Sequence, residues 1–389
     1  MIISIPGLVL GLLLAAPVPA SQPASLPVET SDGQGNSLHA SPGDVHALVR
    51  DEFPPGDHQP FLGEDPIGRG QLVDAKRKGS GTYMFTSREI RTPFPFNDVI
   101  PSWNIDARST GYIVLLRVGR VAEDFWTPWY YLGSWGWAPD FANKQVQDSH
   151  GEVNIDYFQS NERFDRLQYE IRVRIEDPTL ETAPVIHRMA LAYSNTLNDA
   201  DLARRFRKGV NPGPKKKWAR RLSVPYRSQN WEDQKNRGSV CGPTSIAMVL
   251  EYRGVKTPTV EVCRSIWDPE YHLYGNGWRA VQAACSFGVP GYIERFGDWN
   301  AVKRHIAADE PVIASIKEIR GQLRSAPNRE STGRLLVITG FTPGGDIRVN
   351  DPAAPDAEHG VTTYPREDME KAWLANGGVG YIFEKAKLK

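Results

Sequence analysis

The chain has 389 residues, in which 46 Lys and Arg are balanced by 46 Asp and Glu, so its formal net charge at pH 7 is zero. This balance argues against a general binder of nucleic acid or of membrane surfaces, because both need a basic excess. A hydrophobic content of 40% indicates a globular protein, and the length indicates more than one domain. The three cysteines form no CxxC pair, and no HxxxH pair occurs, so neither a disulfide scaffold nor a zinc site is predicted, and no cofactor is expected.

The first residues form an apolar segment that we interpret as an export signal. Residues 2–16 are almost wholly apolar, and Val18-Pro19-Ala20 places small residues before Ser21. This pattern predicts a signal peptide over residues 1–20, although it lacks the usual basic residues. The alternative is a transmembrane anchor, but the run is shorter than the roughly 20 residues that span a bilayer. We expect a secreted or periplasmic protein without a stable membrane span in the mature chain.

Residues 21–80 are rich in Pro, Gly, Ser and Asp and have no sustained hydrophobic period. Such a composition buries too little apolar surface to offset the entropy of ordering, so we predict a disordered stalk. From residue 81 to residue 200 the pattern changes to a period of two. The apolar residues that alternate most clearly with polar ones are Leu167, Tyr169, Ile171, Val173 and Ile175. This alternation is typical of a strand with one buried face.

Three further segments of this region are strand candidates, namely Tyr112–Val118, Val153–Phe158 and Met189–Tyr193. Turn-forming residues separate them, and no helical period interrupts them. We therefore predict an all-β, sandwich-like accessory domain.

Seven aromatic residues cluster in this predicted domain: Trp103, Trp126, Trp129, Tyr130, Tyr131, Trp135 and Trp137. One interpretation is a platform that stacks on sugar rings, which would make the domain a carbohydrate-binding module. The other is that these side chains fill the core of the domain or its interface with the next one, since Trp and Tyr supply much of the buried area in small β cores.

Residues 201–221 combine a run of Lys and Arg with Asn211-Pro212-Gly213-Pro214. This composition predicts a solvated basic linker between two independently folding units. A contact with anionic cell-envelope polymers is the alternative interpretation.

Residues 222–389 mix helical and strand patterns. Apolar positions with helical spacing follow Cys241, and the spacing recurs from Val260 to Trp267 and from Val281 to Gly288. Leu335–Thr339 and Ile347–Asn350 are strand candidates, and the Pro-Gly-Gly-Asp sequence between them predicts a hairpin. The C-terminal domain is therefore predicted to be α+β.

The candidate nucleophile is Cys241, within the sequence GSVCGPTS of residues 238–245. At a helix start, a thiol lies near the positive end of the helix dipole and near unpaired N–H groups, both of which favour the thiolate. We therefore expect a lowered pKa at Cys241 and a faster reaction than at Cys263 or Cys285. These two lie on apolar helical faces and are expected to be buried thiols, with a disulfide between them as the alternative.

A cysteine nucleophile also needs a group that stabilises the oxyanion and a base that returns a proton to the leaving amine. Gln229 ends an extended segment that begins at Val224. Its amide could donate to an oxyanion beside the backbone N–H of Cys241. The predicted hairpin would supply the remaining groups, because the start of its first strand and the end of its second lie at the same end.

These segments resemble the papain-fold peptidases of the bacteriocin-leader-processing type, cysteine peptidase family thirty-nine and its exported relatives. The matching sequences are the Gln229 segment, GSVCGPTSIAMVLEY, LLVITGFTPGGDIRVNDPAAP, and the stretch from Tyr364 to Leu374 with Phe383. The preceding region resembles the β domain of exported members, in SWN at 102–104 and WTPWYYLGSWG at 126–136. The resemblance implies a papain-like cysteine peptidase fold and a peptide or protein substrate.

The resemblance also implies roles for individual residues. Cys241 matches the nucleophile, Gln229 the oxyanion-hole glutamine, and Asp351 or its neighbour Asn350 the residue that orients the catalytic histidine. The family has Gly-His at the start of the first hairpin strand, where this chain has Gly333-Arg334. Arginine stays protonated, so it cannot accept the thiol proton. It could stabilise a thiolate by its charge or form a structural ion pair with Asp351.

Three other histidines in this domain are candidates for a substitute base: His272, His305 and His359. His305 lies on a predicted helix and is expected to be structural or solvated, whereas His272 and His359 lie in predicted loops. Two functions therefore compete. The protein is either an exported cysteine peptidase or amidase with altered catalytic groups, or a catalytically silent peptidase fold that binds a peptide or a cell-envelope polymer.

Overall fold

The structure of the protein is a computed structural model that describes residues 44–52, 70–74, 81–107, 110–136, 144–175, 184–206, 209–230, 240–318, 323, 326–327 and 331–385. All of these residues belong to one compact unit, Leu38–Lys389. The predicted signal peptide lies outside the described residues, as does most of the predicted stalk. Within the described ranges, no helix has the length and hydropathy needed to cross a membrane.

The N-terminal half is β-rich, as the alternating sequence predicts. Its strands are β1 (Val45–Glu52), β2 (Gly70–Asp74), β3 (Gly81–Thr86), β4 (Ile90–Asp106), β5 (Tyr112–Arg120), β6 (Phe125–Trp126), β7 (Tyr130–Trp135), β8 (Glu152–Asn154), β9 (Tyr157–Ile175) and β10 (Val185–Asn195). Antiparallel pairing joins them in one sheet of order β1-β10-β4-β9-β3-β2, with β5 also paired to β9. The long strands β4 and β9 exchange partners along their length, so a single sheet surrounds the core of this half.

Strand β9 confirms the predicted alternation and adds to it. The apolar residues are buried, namely Leu167, Tyr169, Ile171 and Val173. Arg166 and Glu170, from the polar set, are buried as well. The Arg166 guanidinium lies over the Trp126 ring, 4.3 Å from its centroid, and donates to the Phe125 carbonyl at 3.0 Å. Glu170 accepts a hydrogen bond from Thr86 at 3.0 Å. The polar face of this strand is therefore covered at Arg166 and Glu170, where the arginine packs its charge on an aromatic ring.

The predicted strand Val153–Phe158 is in fact a hairpin. Strand β8 ends at Asn154 and β9 begins at Tyr157, so Ile155 and Asp156 form the turn. Ile155 has a φ of 59°, in the left-handed region that β-branched residues rarely adopt. The sequence carries none of the Asn-Gly or Asp-Gly signals of a tight turn, which is why spacing alone missed it.

The predicted stalk contains two strands among its described residues. β1 and β2 both lie within residues 21–80, and β1 pairs with β10 from Val45 to Glu52. Val45 is only 2% exposed. The expectation of a wholly disordered stalk is therefore wrong at these two segments, where partners distant in sequence complete the sheet.

The predicted linker is anchored to both halves of the molecule. Helix α1 (Ala200–Phe206) packs the Phe206 ring against Phe94, with 5.7 Å between ring centroids. The short helix α2 (Lys215–Trp218) packs Trp218 against Phe341, with 5.9 Å between ring centroids. These helices are too short to show a hydrophobic period, so the basic composition dominated the prediction.

The C-terminal half is α+β, as predicted. Its helices are α3 (Cys241–Tyr252), α4 (Thr259–Ile266), α5 (Gly277–Ser286), α6 (Trp299–Ala307), α7 (Ala357–Gly360) and α8 (Arg366–Ala372). Its strands are β11 (Gly291–Arg295), β12 (Val312–Glu318), β13 (Ser331–Phe341), β14 (Ile347–Asn350), β15 (Val361–Tyr364) and β16 (Val379–Phe383). They form one sheet of order β11-β16-β12-β13-β14-β15. The predicted hairpin is β13 and β14, and the two predicted helices after Cys241 are α4 and α5.

The two halves share a buried interface. Trp103 of β4 stacks on Trp278 of α5, with 4.5 Å between ring centroids, and both rings are almost fully buried. The Asn104 side chain donates to the Gly291 carbonyl at 2.7 Å and accepts from the Gly291 N–H at 2.8 Å. The Gln282 side chain makes the same reciprocal pair with the backbone of Ile105, at 3.0 and 2.6 Å. Independent folding of the two units stays a prediction, and the structure joins them through this buried interface.

A buried ion pair completes this interface. The Arg295 Nη2 atom of β11 lies 2.8 Å from each carboxylate oxygen of Asp98 on β4, and both side chains are 1% exposed. Burial raises the pKa of Asp98, and the Arg295 charge opposes this shift. Neither partner can leave the interface without stranding the other in an apolar environment.

The aromatic cluster serves mainly as core and interface. Trp103, Tyr130 and Tyr131 are at most 2% exposed, which confirms the packing interpretation for these three. Trp126 and Trp129 are partly exposed, but the Arg117 guanidinium lies 4.4 Å and 4.7 Å from their respective ring centroids. An arginine therefore already occupies a face of both rings that a sugar would need. Trp137 lies outside the described residues.

Candidate active site

The candidate nucleophile lies at the first residue of α3, as the sequence predicts. A Cβ atom on the next residue, Gly242, would lie 3.3 Å from Leu335 Cδ1 on β13 and 3.4 Å from the Tyr274 carbonyl oxygen. The start of α3 is therefore held between β13 on one side and the loop before α5 on the other. The Cys241 Sγ atom accepts a hydrogen bond from the Leu335 N–H at 3.4 Å.

Arg334 and Asp351 meet beside this thiol. The Arg334 guanidinium donates to Asp351 Oδ2, and the side chains are 4% and 0% exposed. The same oxygen accepts from the Tyr364 hydroxyl at 2.8 Å, while Asp351 Oδ1 accepts from the Ala353 N–H at 3.1 Å. The hairpin thus brings Arg334 and Asp351 together at its open end. Their structural ion pair, one of the two expected alternatives, is present.

The electrostatic surroundings of Cys241 differ from the expectation. Burial raises the pKa of the Cys241 thiol, while the Leu335 N–H and the Arg334 charge lower it less. The Asp351 charge acts in the opposite direction to Arg334 and raises the pKa, as the smallest of these effects. The expected lowering of this pKa is therefore wrong, because burial of the thiol outweighs the N–H groups and the Arg334 charge that favour the thiolate.

Gln229 lies beside the loop that carries Asp351. Its backbone N–H donates to the Pro352 carbonyl at 2.8 Å, and the residue is 4% exposed. Its buried Oε1 atom has no hydrogen-bond partner among the described residues. Asn350 instead donates to the Val224 carbonyl at 2.9 Å and so fixes the extended segment that leads to Gln229. Of the two neighbours, Asp351 is the one that contacts Arg334.

The three candidate histidines have other partners. His305 is buried and its Nδ1 lies 2.7 Å from Glu310, while its Nε2 lies 3.5 Å from Glu294. His359 is exposed, and its Nδ1 lies 2.6 Å from Asp356. His272 is exposed and packs edge-on against the Trp267 ring, 6.1 Å between centroids. Within the described part of the chain, no imidazole is recorded in contact with the Cys241 thiol.

The burial predicted for the two remaining cysteines is confirmed. Cys263 and Cys285 are 7% and 6% exposed, and neither forms a disulfide. Burial raises the pKa of Cys263 to about 11 and that of Cys285 to about 12. Among the described residues, no cluster of three metal-ligating side chains occurs.

Sequence reasoning missed three residues near the thiol. Tyr364, on β15, donates to Asp351 as described above. Tyr381 on β16 is close enough to Cys241 that the thiolate charge, after burial and the Asp156 charge, raises the pKa of its hydroxyl. Asp156 comes from the β8–β9 turn of the other half. The apolar pattern of β16 indicates only that Tyr381 is buried. No sequence signal around Asp156 predicts that it lies near this site.

Comparison with known proteins agrees with the fold. The antiparallel sheet packed on a helix that begins with the cysteine defines a papain-like cysteine peptidase domain. Residues 221–381 match the family model described as Peptidase C39 like family, and residues 54–194 match the model described as Peptidase C39 N-terminal domain. Residues 221–381 are therefore a peptidase C39-like domain, and the β-rich half matches the N-terminal domain described for such peptidases.

One of the solved structures that match this chain is a protease–peptide complex. It is the crystal structure of a double glycine motif protease from an AMS/PCAT transporter in complex with the leader peptide. The match has 22% identity and a TM-score of 0.30, and it covers 42% of this chain and 92% of that one. Among curated proteins, none matches the chain.

Proposed function

We propose that this protein is a peptide-binding member of the peptidase C39-like family in which hydrolysis at Cys241 is strongly impaired. One observation carries the proposal: the residue beside the thiol on β13 is Arg334, and Asp351 holds it in a buried ion pair. A cysteine peptidase needs a base that takes the thiol proton and returns it to the leaving amine, and a guanidinium can do neither.

Peptide segments would lie across the start of α3, between β13 and the loop that contains Tyr274. β13 and this loop both pack closely on Gly242, the residue after Cys241, so a chain bound there would lie near the thiol. Gln229 supports binding in the same place, since its buried amide has an oxygen without a partner in the described chain. The family match favours a peptide over a cell-envelope polymer as the occupant. The apolar residues 2–16 support export to the periplasm or the medium.

The test compares wild type with Arg334→His, using a fluorogenic peptide library and a Cys241→Ala control. We expect slow or absent turnover in wild type. In Arg334→His, an imidazole would meet both the thiol and Asp351, so hydrolysis should rise by about 10² or more. Cys241→Ala added to this variant should abolish the gain.

Efficient hydrolysis by wild type would contradict the proposal. If wild type already hydrolyses peptides efficiently and loses this activity in Cys241→Ala, the protein is an active peptidase with a base elsewhere. His359→Ala and His272→Ala would then locate that base.

A further inference from the structure

The β8–β9 turn of the N-terminal half places a carboxylate at the cleft of Cys241. Asp156 Oδ2 accepts a hydrogen bond from the Gly277 N–H, at the first residue of α5, at 2.6 Å. A Cβ atom on Gly277 would lie 2.9 Å from this oxygen and 3.2 Å from the Tyr381 hydroxyl. Burial, then the charges of Asp156 and Cys241, raise the pKa of that hydroxyl. Tyr381 therefore has the carboxylate and the thiol as neighbours.

The chain between the two sites is short. The Tyr274 carbonyl packs against Gly242, directly after the thiol, and Gly277 follows it by three residues. Three residues span at most about 10 Å. Asp156 thus contacts the same loop that packs on the start of α3, whereas Arg334 lies on β13.

The Asp156 carboxylate has no cationic partner among the described residues. Arg295 is within electrostatic reach, but its Nη2 atom lies 2.8 Å from both oxygens of Asp98. Asp156 is a partly exposed residue, and the hydrogen bond that its carboxylate accepts from the Gly277 N–H needs only a neutral acceptor. An asparagine would provide this acceptor, so the fold gives no reason for the charge.

The charge in fact opposes folding at neutral pH. Burial raises the pKa of Asp156 to about 6, and the Gly277 N–H and the Arg295 charge only partly oppose this; the Asp268 charge adds to the rise. A carboxyl with a raised folded-state pKa stabilises the fold at low pH, and this stabilisation is lost as the pH rises through that value. A carboxylate whose charge lowers the stability of the fold is expected where a ligand interacts with that charge.

We propose that Asp156 is a specificity-determining residue that selects peptides with a cationic group, ammonium or guanidinium, in the segment beside Tyr274–Gly277. This inference rests on the proposed peptide binding at Cys241. The N-terminal domain would then take part in substrate recognition, since it contributes Asp156. A bound cation would supply the missing partner of the carboxylate.

The experiment uses the full chain and capped hexapeptides of Ala and Gly that carry one Lys at each position in turn. Matched peptides carry norleucine, which has a similar stem without the charge. The readout is protection of Cys241 from iodoacetamide, followed by mass spectrometry. We expect the best Lys peptide to protect at about tenfold lower concentration than its norleucine match, as for a partly desolvated charge pair.

Two variants assign this preference. Asp156→Asn should bind the norleucine peptide unchanged and lose the preference for Lys. Glu152→Gln removes an exposed charge from the same hairpin and should keep the preference. In urea at pH 7.5, Asp156→Asn should be at least as stable as wild type, and the difference should shrink as the pH falls below about 6.

The outcomes separate the inference from the proposed function. If no peptide protects Cys241, peptide binding itself fails. If Lys and norleucine peptides protect equally well, or Asp156→Asn keeps the preference, peptide binding stands and the role of Asp156 is overturned. A variant Asp156→Asn that is less stable at pH 7.5 would also overturn it, because the charge would then serve the fold.

Discussion

Two buried Arg–Asp pairs in this molecule have similar chemistry and different consequences. Arg295–Asp98 joins the two halves through contacts from one guanidinium nitrogen to both carboxylate oxygens. Arg334–Asp351 lies within the C-terminal half, where Tyr364 and the Ala353 N–H share the carboxylate. The first pair lies within the interface between the two halves, whereas the second lies beside the Cys241 thiol. Burial of a charge pair is therefore not evidence of function by itself, but its position beside a reactive group is.

The largest effect is expected from Arg295→Met. The variant leaves Asp98 charged and buried without its partner, which should lower the free energy of unfolding by about 3–5 kcal/mol. Urea denaturation measures this loss. Adding Asp98→Leu should recover most of it, and Arg91→Met, at an exposed pair with Glu89, should cost less than about 1 kcal/mol. If the double variant does not recover the lost stability, the pair stabilises the fold by more than the cost of leaving Asp98 buried without a partner.

A smaller loss is expected from Arg334→Met, because Tyr364 and the Ala353 N–H still donate to Asp351. We expect about 2–3 kcal/mol by urea denaturation. The chemical readout is more specific: without the Arg334 charge, the pKa of Cys241 should rise further, and alkylation at a fixed pH should slow. An unchanged alkylation profile would show that the guanidinium does not act on the thiol.

The smallest effect is expected from proteolysis near Asn211, in the exposed part of the linker. A nick there should leave the two halves associated, since Trp103, Trp278 and the Arg295–Asp98 pair stay buried between them. Gel filtration of the nicked protein should give one peak, with two bands on a denaturing gel. Separate elution of the halves would restore the picture of independent units.

The sequence was most informative where the signal is local. The alternation from Leu167 to Val173 predicted a buried strand face, and the Gly and Pro around Cys241 predicted a helix start. The Pro-Gly-Gly-Asp turn predicted which strands bring Arg334 and Asp351 together. In each case, nearby residues determine the outcome, so a pattern within a few positions is sufficient.

The rest depends on residues far apart in sequence. Asp156 reaches α5 across 121 positions, and nothing near it predicts the contact. The pKa of Cys241 also depends on packing, because burial outweighs the helix start that the sequence displays. The burial of Arg166 required the Trp126 ring, whose position follows from the sheet and not from its neighbours.

The interface ion pair has a consequence for the order in which the chain can fold. Asp98 precedes Arg295 by 197 residues, so a ribosome adding about 5–20 residues per second needs roughly 10–40 s to synthesise the partner. Until then, the Asp98 carboxylate lacks Arg295 and the Trp103 ring lacks its stacking partner Trp278. The N-terminal half therefore cannot fully bury Asp98 and Trp103 before α5 and β11 have been synthesised. Its last step must follow the synthesis of β11, which favours a late, concerted closure of the whole molecule.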